Sequence, residues 1–551
     1  MNKAWSYIVL EANHRKQVIF LMIFVSLVYL YNFHVNDIWT PNESFYAEAV
    51  REMFEGNNFL DIFYNYEPRY NKPPLTYWLI AISSTVFGLT EFAIRLPIVL
   101  LALGSIWYTY KIGKLLYGDK GGLYALVMMA FSVQLLAVKQ YASPEIPLTF
   151  FFTLTMYYFI KAYISRSSRY MWWAYVALGL TVLTKGFPYI IVIGGIIGLF
   201  IIIERSFKWK PIWQDIKFLK LPFGIPLVLL IGLSWVIFMY LKDGQEFWEV
   251  YYRETFGRAL EKKTNGPKPF FYLEVISWSI LPYSLAFFFA CFYWVANRTQ
   301  WRKITFPLSW VVVMFVIFTI AKGKIPTYMI QAHPALLLMI VPLLLKFDPK
   351  KLWLKGLWSF CFLFPSVLIL TANILIVDQL NLHWLTYVAP LASLGLLALF
   401  HFKKGDDNNR ALAAVPFWVI SFFLISFATL LPKLEKFRPY DEIGQVIKSH
   451  DIDSETPIFI ENTLIHNIPF YAERFAERDA TPAIVQNHKG ATLALMREES
   501  LSQLDGFESL WSGYIYDFPS ESQFAKFIMA CIEAENGDYS KFANFHLIYR
   551  P

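Results

Sequence analysis

The sequence predicts a polytopic α-helical membrane protein: about thirteen membrane-spanning helices followed by a small soluble α/β domain. Three observations carry that prediction. Of the 551 residues, 56% are hydrophobic and only 17% charged, with a mean hydropathy of +0.41, and the apolar residues fall in long blocks. The loops between alternate blocks are rich in Lys and Arg. From residue 433 onward the chain turns polar. A soluble chain carries about a quarter charged residues. Composition therefore excludes a string of soluble domains, and also a disordered chain, a collagen, a coiled coil and a disulfide scaffold. The net charge of +7 sits mainly in short loops flanking apolar blocks and is no nucleic-acid footprint. Cys291 and Cys361 lie in apolar blocks and Cys531 is alone, so no disulfide is expected.

The first apolar block, 18–33, follows Lys3, Arg15 and Lys16, which places the N-terminus in the cytoplasm. No small-residue cleavage site follows it, so it reads as an anchor. Block 73–88 is short, opens on Pro73-Pro74 and has no basic flank at its far end. Treated as a half-embedded interfacial helix, it leaves every later basic loop on one side. The remaining spans are expected at 94–112, 121–140, 146–164, 170–185, 188–204, 219–241, 272–294, 304–321, 326–346, 356–377, 384–402 and 411–432. Each cytoplasmic loop is then basic, from Lys111/Lys114/Lys120 to Lys403/Lys404/Arg410. The odd count puts the C-terminus outside. The organisation is a membrane domain, 1–432, whose first extracytoplasmic loop is 34–93, and an extracytoplasmic α/β domain, 433–551. The latter shows strand-like runs at 457–460 and 546–549 and helix-like stretches at 440–449 and 521–533.

Charge beside an apolar span is costly unless it is used or paired, and the outer segments hold several such charges. Asn42 and Glu43 open an amphipathic helical pattern with Phe45, Ala49 and Met53 on one face. Asn42 suits an N-cap; Glu43 either favours the positive helix end or belongs to a site. Lys72, just before the Pro-Pro, either binds a lipid phosphate as a point charge or snorkels to headgroups. Glu145, between Pro144 and Pro147, is either a helix-start charge or part of a site. The loop 242–271 holds six basic residues although it lies outside. Arg253 and Arg258 there suit a phosphate clamp, or pair with Glu254 and Glu261. The corner 322–326 brings Lys322, Lys324 and Tyr328 to the same membrane edge, while His333 reads as a hydrogen-bonded helix contact. No cluster has metal-ligand spacing, and there is no Walker loop, GxSxG or HExxH. Carboxylates and cations gathered beside lipid suit transfer chemistry on a lipid phosphate. A carboxylate serves as base for an acceptor hydroxyl, and Arg or Lys neutralises the departing phosphate.

The ordered series NESFYAEAVREM, KPPLTYWLIA, FAIRLP, ASPEIPLTFF, YYRETFGR and GKIPTYMIQAHPALLL resembles the GT-C glycosyltransferases that use polyprenyl-phosphate sugars. The resemblance is nearest to the bacterial aminoarabinose transferase and protein O-mannosyltransferase-like group, related to dolichyl-phosphate-mannose-protein mannosyltransferases. It covers roughly residues 20–345. It implies a GT-C fold in a bacterial inner membrane and a polyprenyl-phosphate-linked sugar as donor. The acceptor it implies is a lipid, a glycan or the Ser/Thr of a secreted protein. It also implies the site residues. Lys72 and Arg258 match the lipid-phosphate ligands and Tyr328 the tyrosine of a Lys-x-Pro-x-Tyr motif that contains Lys324. Tyr46 keeps the tyrosine of the first-loop motif. The acceptor side departs from the pattern: Asn42 stands for the family aspartate, Phe45 for its arginine, Glu145 for its second aspartate and Asn71 for its glutamate. Thr255 stands near the position of a family histidine. Asn71 and Thr255 remove plausible metal ligands, so no metal or other cofactor is expected.

Three readings of these departures stay open. Glu43 or Glu145 is the base in a subfamily with a shifted carboxylate, with Asn42 orienting a substrate; the acceptor needs less activation; or the protein binds a lipid-linked glycan without turnover. A transporter would want mid-membrane charges and paired broken helices, whereas here the charges lie at outer ends. The expectation is therefore a membrane glycosyltransferase with Glu43, Glu145 and Asn42 as catalytic candidates and Lys72, Arg258, Tyr328, Arg253, Tyr46 and Lys324 as substrate ligands. Its partners would be donor, acceptor and membrane lipid, and no nucleic acid.

Overall fold

In the computed structural model the described residues are 14–257, 269–346, 351–402, 415–461, 465–517 and 524–551. The chain opens on the helix His14–Leu30, which turns apolar Phe20, Ile23 and Leu27 outward. The stretch Glu91–Ala130 is two helices that reverse at Gly118, whose φ of 77° is open to glycine without steric cost. Gly113 packs directly on Gly121, Gly122 and Ala125, and a Cβ there would come within 2.8 Å of the Ala125 Cβ. In one straight helix, residues 113 and 122 would be about 13 Å apart, so the two segments run antiparallel. The expected pair 94–112 and 121–140 is thus a hairpin sealed by glycines. Its second member stops earlier than expected, at Ala130; Ser132 is extended, and Val133–Val138 forms a separate short helix.

Glu145–Ser165, Ser168–Lys185 and Pro188–Glu204 fall where spans are expected. Elsewhere breaks divide the expected spans. Leu221–Gly232 meets the following helix at a 54° bend. Phe271–Ser279 and Ser284–Ala296 flank the break that holds Pro282. Pro326–Ala332 is a 3-10 turn leading into His333–Leu338. Among the described residues, Glu91–Ala130, Pro326–Lys346 and Trp353–Gln379 are long and apolar enough to cross a bilayer, and the bent pair makes a fourth. The chain also reverses at Gly244, bringing the Phe247 ring to 5.5 Å from Trp235. Leu75–Phe87 has 13 residues, about 20 Å against the roughly 30 Å of a hydrocarbon core, and it exposes Ile82 and Val86.

The first-loop helix Asn42–Glu55 departs from expectation. It is buried on nearly every side, including Glu43, Glu48, Arg51 and Glu52, instead of lying amphipathic at an interface. Internal pairing makes that burial affordable: Arg51 grips Glu48 through Nε and Nη2, both at 2.8 Å, and reaches Glu55 at 2.9 Å. The N-cap position belongs to Pro41, so Asn42 is the first helical residue and its side chain is exposed.

Residues 440–551 build a five-stranded mixed sheet. Its strands, after the loop hairpin β1 (Phe63–Tyr64) and β2 (Glu67–Pro68), are β3 (Ile458–Glu461), β4 (Ala476–Ala480), β5 (Thr492–Arg497), β6 (Glu508–Tyr516) and β7 (Phe542–Arg550). The order is β4-β3-β5-β7-β6; β3 runs parallel to β4 and β5, and β7 antiparallel to β5 and β6. The helix Tyr440–Ser449 has Asp441 and Glu442 in its first turn and Lys448 in its last, matching the helix dipole. It buries Tyr440, Ile443, Gly444 and Ile447 at helical spacing. At Gly444 a Cβ would lie 2.5 Å from the Tyr471 carbonyl oxygen, so only glycine permits this close packing.

This sheet domain is bolted to the first loop. Asn65 acts as a false strand residue at the sheet edge: its Nδ2 donates to the Ala476 carbonyl at 3.0 Å and its Oδ1 accepts from the Ala476 N–H at 2.8 Å. Arg438 donates to the carbonyls of Asp37 and Ile38 and lies 3.9 Å over the Trp39 ring.

Candidate functional site

The helix corners beside the first loop place three groups of charged side chains. The first centres on Glu43, which is fully buried. Its Oε1 accepts from Arg95 Nε at 2.9 Å and the Ala142 N–H at 3.0 Å. Its Oε2 accepts from Arg95 Nη2 and the Trp39 N–H, both at 2.8 Å. A carboxylate has about four acceptor positions, and all are filled. Glu43 therefore fastens the start of the loop helix to the corner before Glu145 and has no lone pair left for a substrate proton.

The second group centres on Glu145. This residue starts its helix after Pro144 and is held at 2.7 Å by Lys185, which ends the next helix at the Gly186 corner. The Lys185 ammonium also lies 4.8 Å from the Tyr328 ring centroid. Tyr189 stands within electrostatic reach of Lys185. Tyr46, stacked on Tyr77 at 4.3 Å, is within electrostatic reach of Glu145. Glu145 accepts from one side chain among the described residues, Lys185, against four hydrogen bonds at Glu43. A Cβ on Gly186 would come 3.4 Å from the Tyr251 hydroxyl, so the segment leading to the basic loop closes over this corner.

The third group lies between the first loop and the sheet domain. The Arg69 guanidinium sits 3.9 Å over Phe45 and 5.7 Å from Tyr64. His466 Nδ1 is 3.0 Å from the Tyr64 hydroxyl, and the His466 ring is 4.9 Å from Phe45. Burial, then the positive charges of Arg478 and Arg69, depress the His466 imidazole to about 4.

The sequence-predicted residues thus separate. Glu145, Tyr328 and Tyr46 are brought to one corner. Lys72 is half-buried and donates to the Asn71 carbonyl at 3.0 Å. Lys324 donates to the carbonyls of Thr319 at 2.7 Å and Ala321 at 2.6 Å, capping the helix Thr305–Ile320. Arg253 is exposed and pairs with no described carboxylate. Arg258 and Glu261 lie outside the described residues. His333 is fully buried and, against expectation, neither ring nitrogen has a hydrogen-bond partner among the described residues. Sequence reasoning missed Lys185, Arg95 and Arg69. Lys185 had a usable signal: a lysine before Gly-x-Pro at an outer corner, facing a corner that holds a lone carboxylate.

Residues 71–235 match the family described as dolichyl-phosphate-mannose-protein mannosyltransferase. An uncharacterised protein of Aquifex aeolicus is 33% identical over 526 residues, covering 94% of this chain and all of that one. An undecaprenyl phosphate-alpha-4-amino-4-deoxy-L-arabinose arabinosyl transferase of Proteus mirabilis is 27% identical over 59% of each chain. The match thus spans about three-fifths of that transferase's length. The crystal structure of ArnT from Cupriavidus metallidurans bound to undecaprenyl phosphate superposes with a TM-score of 0.75, covering 97% of this chain and 98% of that one at 16% identity. The apo form of the same protein gives a TM-score of 0.72.

Proposed function

The chain belongs to the GT-C glycosyltransferase family of aminoarabinose transferases and protein mannosyltransferases, and from that premise we propose that it moves a sugar from a polyprenyl-phosphate donor to an acceptor at the extracytoplasmic face. The observation that carries the reading is the Glu145–Lys185–Tyr328 cluster at an outer corner, beside the first-loop helix. The acceptor oxygen bonds to the anomeric carbon as the bond from that carbon to the phosphate oxygen breaks. The electron pair leaves with the polyprenyl phosphate, and Glu145 takes the acceptor proton. Lys72 and Arg258 hold the phosphate as its charge grows, with Tyr328 donating a hydrogen bond and Lys185 keeping Glu145 in place. Attack opposite the phosphate inverts the anomeric centre. Glu43 positions the corner through its four hydrogen bonds and takes no part in proton transfer. No step needs a cofactor: Asn71 and Thr255 offer an amide and a hydroxyl where a metal would want a carboxylate and an imidazole.

The topology proposed is thirteen spans in a bacterial inner membrane with the sheet domain outside. Its support is the docking of Asn65, Asp37 and Ile38 of the first loop on that domain, together with basic loops at the other ends of the spans. The acceptor proposed is a lipid, glycan or secreted protein. A second reading, binding of a lipid-linked glycan without turnover, rests on Asn42, which has no titratable group. Purified protein in detergent, given a panel of polyprenyl-phosphate sugars, separates the two. Release of polyprenyl phosphate by the wild type, lost in Glu145→Gln, is expected. Donor binding that depends on Lys72 but yields no release would leave only the second reading.

A further inference from the structure

We propose that Arg69, Arg478 and His466 form an anion-binding subsite, shared by the first loop and the sheet domain, that takes an oxyanion carried by the acceptor. The inference rests on the glycosyl-transfer reading above. The first-loop arginines make the contrast. Arg51 is paired with Glu48 and Glu55, and Arg95 with Glu43. Arg69 forms no ion pair among the described residues, and its Nε is buried without a hydrogen-bond partner. A guanidinium carries five N–H donors in a planar fork that matches carboxylate and phosphate, and here the fork is held over aromatic rings with its Nε donor unmet.

The surroundings add the positive charge of Arg478, while the carboxylates whose charge also reaches Tyr64, Glu48 and Glu52, are held by Arg51 and by the Tyr66 N–H. Arg478 projects from β4 with its guanidinium 6.0 Å from the Tyr64 ring; among the described residues its ion-pair contact is a long 3.8 Å to Glu67, exposed at both ends. Such a contact is worth little. His466, uncharged at neutral pH because its imidazole is depressed to about 4, adds a polar ring held by the Tyr64 hydroxyl. The frame is rigid, because Asn65 is doubly bonded to Ala476 and Ser44 bonds to Asn467, directly beside Tyr64 and His466.

Position gives the subsite its role. Tyr46 lies within electrostatic reach of both Glu145 and Arg69, so one tyrosine lies between the subsite and the corner where transfer is proposed. Phe45 occupies the motif position of the family's arginine, and Arg69 brings a guanidinium back over that ring from the other end of the loop.

The test uses the full-length protein in detergent and calorimetric titration with glucose 1-phosphate against glucose. Binding of the phosphorylated sugar alone is expected. Arg69→Gln should weaken it tenfold or more, and the half-exposed Arg478→Gln, a gentle change for folding, should weaken it several-fold. Lys448→Gln, at an exposed surface ion pair with Glu473, should leave it within twofold. Unaltered binding in both arginine variants overturns the proposal, as does an equal loss in Lys448→Gln. Displacement of the sugar phosphate by phosphatidylglycerol in nanodiscs would assign the anion to a lipid headgroup and overturn the acceptor assignment. Donor turnover on the same preparation keeps the two ideas apart. Arg69-dependent binding without any polyprenyl phosphate release sinks the transfer reading and spares the subsite; release with Arg69-independent binding does the reverse.

Discussion

Glu43 and Arg95, 52 residues apart, meet in a fully buried bidentate pair, and the same arginine also donates to the carbonyls of Asn36 at 2.6 Å and Asp37 at 2.9 Å. Removing one partner strands the other charge, which costs about 3–5 kcal/mol. Glu43→Leu and Arg95→Leu should each lower the thermal midpoint sharply in detergent. The double variant should lose clearly less than the sum, because neither charge is then left alone. Additive losses would show that the pair is not coupled.

Glu145→Gln should behave differently. Glu145 keeps capacity for a further hydrogen bond, and the amide still accepts from Lys185. The amide removes the Lys185 counter-charge but keeps its hydrogen bond, so the midpoint should fall less than in Glu43→Leu, while turnover falls by about 10²–10⁴. Lys185→Met should lower both stability and turnover, since it leaves Glu145 unpaired at a membrane edge. If Glu145→Gln turns over donor at the wild-type rate, the proton acceptor lies elsewhere.

These two carboxylates show what was legible in the sequence. Both stood out as acids beside apolar spans, but their roles depend on partners that no local pattern reveals. Arg95 lies inside a helix whose neighbours are apolar, and Lys185 sits on a different helix from Glu145. Local patterns did better where one element decides its own form. The helix Tyr440–Ser449 matches its expected bounds because its apolar spacing and end charges agree. The short helix Leu75–Phe87 follows from Pro74 at its start and its limited length. Breaks at Gly118, Gly244 and Pro282 were harder to place, because an apolar run reads as continuous whether or not the backbone reverses within it. The burial of Asn42–Glu55 was illegible for a similar reason: its charges pair within the helix, and Ser44 bonds to Asn467 of the sheet domain, 423 residues away.

The Asn65 clamp should govern how firmly the sheet domain holds the first loop. Asn65→Ala removes two hydrogen bonds and leaves the Ala476 N–H and carbonyl unmet in a buried setting, a cost of about 2–4 kcal/mol. Hydrogen exchange should quicken at β4 and at residues 63–69 while the glycine-packed hairpin around Gly118 stays protected. Uniform exchange across the chain would mean that the clamp is not local.

Two groups at the same junction titrate in opposite senses. Burial first, then the negative charge of Glu435, pushes the Asp37 carboxyl up to about 8, with Arg438 and the Asp441 N–H opposing. The folded state thus holds a proton that the unfolded chain releases near 4. Asp37's contribution is complete below that value and is lost as pH rises through about 8. Burial and the nearby Arg478 and Arg69 depress His466 to about 4. Its contribution is present above the usual 6.5 and is lost as pH falls through about 4. Between about 4 and 6.5 the two slopes oppose each other, each at about 1.4 kcal/mol per pH unit. From 6.5 to 8 the His466 term is constant and the Asp37 term still declines; Glu52, raised to about 8 by burial and by Glu48, declines with it. Because the Glu52 contribution also declines from its ordinary value near 4.5, two falling contributions face one rising one below pH 6.5, so wild-type stability should fall from pH 4.5 to 8 and about twice as steeply above 6.5. Asp37→Asn keeps an acceptor for the Asp441 N–H, which sits 2.9 Å from Asp37 Oδ2, and should flatten part of that fall. Thermal midpoints measured in half-unit steps would decide the matter: parallel curves for wild type and Asp37→Asn above pH 6.5 would remove Asp37 as a source of the decline.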